Sequence, residues 1–232
     1  MSGETITIKG KDGDFTGYLA SPGAGRGPGL VVIQEIFGVN AVMREIADGM
    51  ASRGYFALVP DLFWRLEPNI QLTDKSDADW KKALDLMGRF DVDKGITDIQ
   101  STIDTLRALP GCTGKVGALG YCLGGQLAYL TASRTNIDAA VGYYGVNIQN
   151  RLDEAKNIQH PLMLHIAEAD EYVPPPAQAK IEAGLEDNSH VTIHRYPLMN
   201  HAFARVGGAH YDKAMADLAN TRSATFFRQH LS

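Results

Sequence analysis

Residues Val116-Gly117-Ala118-Leu119-Gly120-Tyr121-Cys122-Leu123-Gly124-Gly125 form a short apolar run that closes on Gly-x-Cys-x-Gly, and a helical pattern follows from Gln126 to Arg134. This is the layout of a nucleophile elbow with cysteine at its centre. A strand that turns straight into a helix holds the central side chain in a strained, exposed position. Flanking glycines are required because a Cβ at either neighbour would collide with the turn. The motif therefore constrains fold and reaction type together, and it calls for two further residues later in the chain. The plain alternative is a buried cysteine in a glycine-rich strand-helix turn.

The 232 residues suffice for a substantial core within one domain, residues 1–232. A hydrophobic fraction of 44% and a charged fraction of 21% match an ordinary globular chain. The formal net charge of -5, with basic residues scattered, gives no footprint for nucleic acid. No apolar run reaches membrane-spanning length, so no membrane partner is expected. Cys112 and Cys122 are the two cysteines, and their spacing permits pairing. One sits on the elbow, however, and Met1-Ser2-Gly3-Glu4-Thr5 lacks the basic-then-apolar pattern of a secretion signal. A reduced thiol in the cytoplasm is the expectation. Cys112, in Pro110-Gly111-Cys112-Thr113-Gly114, reads as a turn residue.

Apolar runs of strand length alternate with longer amphipathic stretches, which predicts an α/β fold with a mainly parallel sheet and helices on both faces. Thr5 to Ile8 and Phe15 to Leu19 read as an opening hairpin, and Ser21 to Gly29 as a loop. Strands are expected at Leu30 to Gln34, Tyr55 to Val59, Lys115 to Gly120, Ala139 to Tyr143, Pro161 to Ala167 and Val191 to Tyr196. Helices are expected at Ala41 to Arg53, Ser76 to Arg89, Asp93 to Leu109, Gln126 to Arg134, Pro174 to Leu185 and His210 to His230. In the third of these, Ile96, Ile99, Ile103 and Leu106 recur at helical spacing and form one apolar face. Asp61 to Asp74 is irregular, either the rim of a pocket or a plain loop.

Reactive groups of open α/β sheets collect beyond the carboxyl ends of the strands. The titratable residues just after predicted strands are Glu35, Cys122, Glu168, Asp170 and His201. The order Cys122, Asp170, His201 matches the nucleophile, acid, histidine order of α/β-hydrolases. At neutral pH only a few per cent of a free thiol is thiolate, and the N-terminal end of the next helix favours the anion. His201 would shuttle the proton, and Asp170 would accept the other imidazole N–H and fix its tautomer. The backbone N–H groups of Leu123 and Ile36 would form an oxyanion hole. Each assignment has a rival. His201 can be a solvated loop histidine, Asp170 can cap the helix after Pro174, and Glu168 competes for the acid position. Glu35 can be a surface residue, although a carboxylate after so apolar a strand is costly unless it faces a pocket or a partner.

Together these residues resemble the dienelactone hydrolase (carboxymethylenebutenolidase) family, the cysteine branch of the α/β-hydrolases. The resemblance rests on Gln34-Glu35-Ile36-Phe37-Gly38-Val39-Asn40, Pro60-Asp61-Leu62, Gly120-Tyr121-Cys122-Leu123-Gly124-Gly125, Gly142-Tyr143-Tyr144-Gly145, Asp170 and His201-Ala202-Phe203-Ala204-Arg205. It implies a single-domain α/β-hydrolase that opens an enol-lactone to a keto acid through a thioester on Cys122. It also implies that Glu35 holds the resting thiol and takes its proton when substrate arrives, which spares a standing thiolate from oxidation. Arg205 then meets the substrate carboxylate, and Tyr144 and Phe37 line the site. One position departs from the pattern: Trp80, with Lys81 and Lys82 beside it, stands where the family carries a second carboxylate-binding arginine. A lysine there supplies a point charge and no planar fork.

The chain is thus expected to be a cofactor-free, monomeric hydrolase whose partner is a small lactone or ester. A broader esterase or thioesterase, without an acid-directed pocket, is the second reading. A redox-sensing thiol protein is the third, although it needs neither Asp170 nor His201 and lacks an evident resolving cysteine. His160 and His165 flank a strand and give no metal-binding spacing, and no dinucleotide or phosphate-loop fingerprint is present.

Overall fold

The computed structural model describes residues 3–232; Met1 and Ser2, part of the stretch read for a secretion signal, lie outside the described residues. The fold is α/β, with an eight-stranded, mainly parallel sheet in the order β1-β2-β4-β3-β5-β6-β7-β8. The chain divides into two compact units, Met1–Ala118 and Leu119–Ser232.

In the first unit β1 (Glu4–Gly10) and β2 (Gly13–Ala20) form the antiparallel hairpin expected from the sequence, longer at both ends. Strand β3 (Gly27–Ile33) is buried along nearly its whole length and pairs in parallel with β4 (Phe56–Pro60). Strands buried on both faces read as continuous apolar runs, which is why Leu30 to Ile33 and Phe56 to Val59 carry no alternation. Helix α1 (Ala41–Ala51) starts where the Asn40 side chain accepts the amide of Met43. Helix α2 (Asp77–Arg89) is capped by Ser76, and α3 (Val92–Ala108) by Asp91. The apolar face predicted on α3 is the buried one: Ile96, Ile99, Ile103 and Leu106 are at most 5% exposed.

Strand β5 (Cys112–Tyr121) begins earlier than expected, so Cys112 is its first residue and not a turn residue. The turn precedes it, at Gly111, whose φ of 89° suits glycine. Both cysteines are free.

The second unit holds α4 (Leu123–Arg134), β6 (Ala139–Tyr143), β7 (Leu162–Ala167), α5 (Pro175–Leu185), β8 (Val191–Tyr196) and α6 (Lys213–Leu231). Strands β6, β7 and β8 pair in parallel. Adjacent residues of a strand point to opposite faces. On β6, a Cβ at Gly142 would lie 2.9 Å from the Gly125 carbonyl of α4, whereas the Tyr143 hydroxyl bonds Asn220 and Ser223 of α6. Helices α4 and α6 therefore cover opposite faces.

Further boundaries differ from the sequence reading, and β3 starts at Gly27, inside the stretch expected to be a loop. Helix α4 starts at Leu123, three residues early, because the turn is completed at Cys122 alone. Helix α6 starts at Lys213, where the Asp212 side chain caps the amide of Met215. Two 3₁₀ turns, Ile148–Asn150 and Leu152–Asn157, fill a segment to which no element was assigned. Among the described residues no helix is long and apolar enough to cross a membrane.

Candidate active site

Cys122 has φ 57° and ψ -114°, outside the regions that non-glycine residues ordinarily occupy. Its surroundings hold it there. The Cys122 amide donates to the Tyr143 carbonyl at 3.1 Å, and its carbonyl accepts from Gly125 and Gln126 at 3.0 and 3.2 Å. A Cβ at Gly120 would come within 1.9 Å of the Gly124 carbonyl, so only glycine permits this strand and helix to meet. Cys122 is half-buried and not sealed in the core. As the first residue of α4, Leu123 has one of the amides that find no partner inside the helix, as an oxyanion donor must.

His201 approaches from the loop after β8. Its Nδ1 lies 2.8 Å from Asp170 Oδ2, and the Cys122 side chain is near enough to act on the ring electrostatically. With Nδ1 on the carboxylate, Nε2 is the nitrogen left for sulfur. Burial opposes a charge on His201, but the neighbouring Cys122 sulfur and the Asp170 hydrogen bond outweigh it and raise the imidazole to about 10. The ring sits edge-on between Tyr144 and Tyr172, with centroids 5.0 and 4.9 Å away.

Asp170 is 3% exposed and leaves no oxygen idle. Its Oδ1 accepts from the amides of Tyr172 and Val173 at 2.8 and 3.2 Å, so the turn it builds frees Oδ2 for His201. It does not cap α5, whose N-cap is Pro174. The rival Glu168 is held by Arg195, 2.7 Å away. Backbone and Asn200 contacts tie the acid loop to the histidine loop. The Asn200 side-chain oxygen accepts from the amides of Glu171 at 3.2 Å and His201 at 2.7 Å, and Ala169 donates to the Met199 carbonyl at 2.8 Å. Arg205 is half-buried on the same loop, near enough to Tyr172 to act on its phenol electrostatically. Tyr144 is 2% exposed.

The other residues singled out from the sequence belong to the first unit. Glu35, Ile36 and Phe37 follow β3 and are 2%, 4% and 2% exposed, so Glu35 is no surface residue. Trp80 of α2 packs edge-on against Phe37 at 5.1 Å and donates its indole N–H to the Asp74 carbonyl. Lys82 pairs with Glu67 at 2.6 Å. The Asp61 to Asp74 segment is pinned by Asp61, which accepts the amides of Phe63 and Asn69 at 3.1 and 2.6 Å. Among the described residues no group of three or more His, Cys, Asp or Glu side chains converges to hold a metal.

Sequence reasoning missed Asn200 and Tyr172. Asn200 precedes the candidate histidine, but nothing local reveals that its oxygen spans two loops. Tyr172 is two residues beyond Asp170 and 52% exposed, a position that adjacency to the acid could have flagged.

Residues 15–231 match the dienelactone hydrolase family. The chain is 47% identical over 233 residues to "Putative carboxymethylenebutenolidase" of Azospirillum brasilense, with 96% of each chain covered. It is 38% identical over 227 residues to the carboxymethylenebutenolidase of Pseudomonas putida, covering 97% of this chain and 96% of that one. The crystal structure of "Putative Dienelactone Hydrolase" from Klebsiella pneumoniae superimposes with a TM-score of 0.87 over 97% of this chain and 98% of that chain. At 24% identity that likeness speaks for the fold.

Proposed function

Because the chain belongs to the dienelactone hydrolase family, we propose that it hydrolyses a lactone or small carboxylated ester through a thioester on Cys122. The observation that carries this reading is the His201–Asp170 pair within electrostatic reach of Cys122, which sits at the elbow of a strand and a helix. The sulfur attacks the carbonyl carbon, and the developing oxyanion takes hydrogen bonds from the amides of Leu123 and Ile36. Collapse breaks the ring C–O bond, and the leaving oxygen takes a proton from the His201 imidazolium. For an enol-lactone, the released enol tautomerises to the keto acid. Water then adds to the thioester as His201 takes its proton and becomes imidazolium again, the C–S bond breaks, and the departing thiolate recovers the proton that Glu35 had taken. Asp170 keeps the imidazole in the tautomer that both steps need.

In this reading Glu35 takes the thiol proton when substrate arrives, as the resemblance implies. Arg205 receives the substrate carboxylate, with Tyr144 and Phe37 along the acyl group. Thiol, imidazole and backbone amides suffice for the chemistry, so the enzyme works without cofactor, as a single-domain monomer in the cytoplasm. Mass spectrometry after brief exposure to a dienelactone tests the mechanism. An added acyl mass on Cys122, absent from Cys122→Ala, is expected. Undiminished turnover by Cys122→Ala would end the covalent scheme.

A second reading, a broader esterase, is favoured by one observation. Trp80, where the resemblance implies an arginine, spends its ring on Phe37, so that position offers an apolar face and no cation. Turnover of p-nitrophenyl acetate that equals or exceeds that of a dienelactone would select this reading.

A further inference from the structure

Away from the elbow, β7, β8 and α6 enclose a groove of about 530 Å³ within the second unit, the size of a small-molecule site. Strand β8 is the last in the sheet order, so this groove lies along a sheet edge. Its floor is apolar, from Met163 and Phe226. Its walls carry Arg222 and the imidazoles of His190, His194 and His230, and no lining residue is acidic. In a chain of net charge -5 such a lining is a marked departure from the average surface.

Arg222 makes the charge available. Arg195, the arginine of β8, is held by Glu168 and Glu182 at 2.7 and 3.0 Å. Arg222 meets no carboxylate among the described residues. Its guanidinium lies 5.4 Å from the centroid of the Tyr196 ring, a cation–π contact that holds it without neutralising it. Burial and Arg222 together lower His194, the response of an imidazole in positive surroundings. The imidazoles do not converge as metal ligands would.

We infer that this groove is a binding site, separate from the Cys122 centre, for a small molecule carrying an oxyanion head and an apolar body. The head, a carboxylate or a phosphate, would sit against Arg222 and His194 in a charge-assisted contact, with the body over Met163 and Phe226. The site stands whether or not Cys122 performs the proposed hydrolysis.

Imidazole NMR resonances, followed at neutral pH while phenyl phosphate or benzoate is added, test it. Saturable shifts at His194 and His230 with a Kd of about 1 mM or tighter are expected, and no saturable shift with benzyl alcohol. Thr225→Glu, at an exposed lining position, places a carboxylate in the groove and should weaken binding at least about tenfold while leaving p-nitrophenyl acetate turnover unchanged. Arg222→Gln should abolish the shifts. Shifts that rise linearly without saturation, that appear at His201 alone, or that are undiminished in Thr225→Glu would overturn the assignment. The relative affinity for the two anions identifies the preferred head group.

Discussion

Asp170 and His201 are joined through Oδ2 and Nδ1 at 2.8 Å, while the other Asp170 oxygen is committed to two backbone amides. The carboxylate therefore cannot rotate away from the imidazole without breaking the turn it closes. Asp170→Asn keeps the shape, but an amide NH₂ facing Nδ1 enforces the wrong tautomer. We expect kcat to fall by about 10²- to 10⁴-fold with little change in KM, measured by steady-state hydrolysis. A loss confined to KM would remove Asp170 from the proton relay.

The raised His201 gives a pH signature. The ring titrates at about 10 in the folded protein against an ordinary 6.5. A group raised on folding contributes stability that is fully present below the ordinary value and is lost as pH rises through the folded one. The thermal midpoint of the native protein should therefore exceed that of His201→Gln most clearly below about pH 6.5, and the gap should narrow as pH rises towards 10. An imidazole NMR titration checks the cause. Cys122→Ala and Asp170→Asn should each move His201 down, because each removes a contribution that raises it. An unmoved His201 in Cys122→Ala would mean that sulfur and ring do not interact.

Asn200 holds the amides of Glu171 and His201 with its side-chain oxygen. It is a positioning residue. Asn200→Ala should lower kcat about tenfold or more through a misplaced imidazole. Asn200→Asp, which keeps the acceptor, should recover most of that loss. The pH dependence of kcat should shift in the alanine variant and return in the aspartate one. Equal damage in both variants would point to a general packing role.

The elbow was legible because its requirements are local: glycines two positions either side of a cysteine, at a strand-helix junction. Asp170 and His201 followed from order alone, since each must lie just beyond a later strand. The link from Asn200 to Glu171 spans 29 positions, and that from His165 to Ser223 spans 58. No periodicity encodes either. His165, fully enclosed by Tyr196 and Ser223, looked in the sequence like any other histidine beside a strand. The early start of α4 escaped for a related reason. Gly124 and Gly125 read as turn residues, and only the close approach of Gly125 to Gly142 and Gly145 explains why glycine is needed inside that helix.

Arg205 separates the acid-directed reading from the broader one. It lies four residues beyond His201, on a loop tied down by Asn200, and its charge reaches Tyr172 beside the imidazole. A guanidinium there can fork onto a substrate carboxylate, a contact worth about 1.5 to 3 kcal/mol for a charged hydrogen bond. Such a contact is made equally in the ground and transition states, so its loss falls on KM. Arg205→Ala should raise KM about tenfold to a hundredfold for a dienelactone and leave p-nitrophenyl acetate nearly unchanged. Parallel losses on both substrates would make Arg205 a support of the loop, and the neutral-ester reading would then stand.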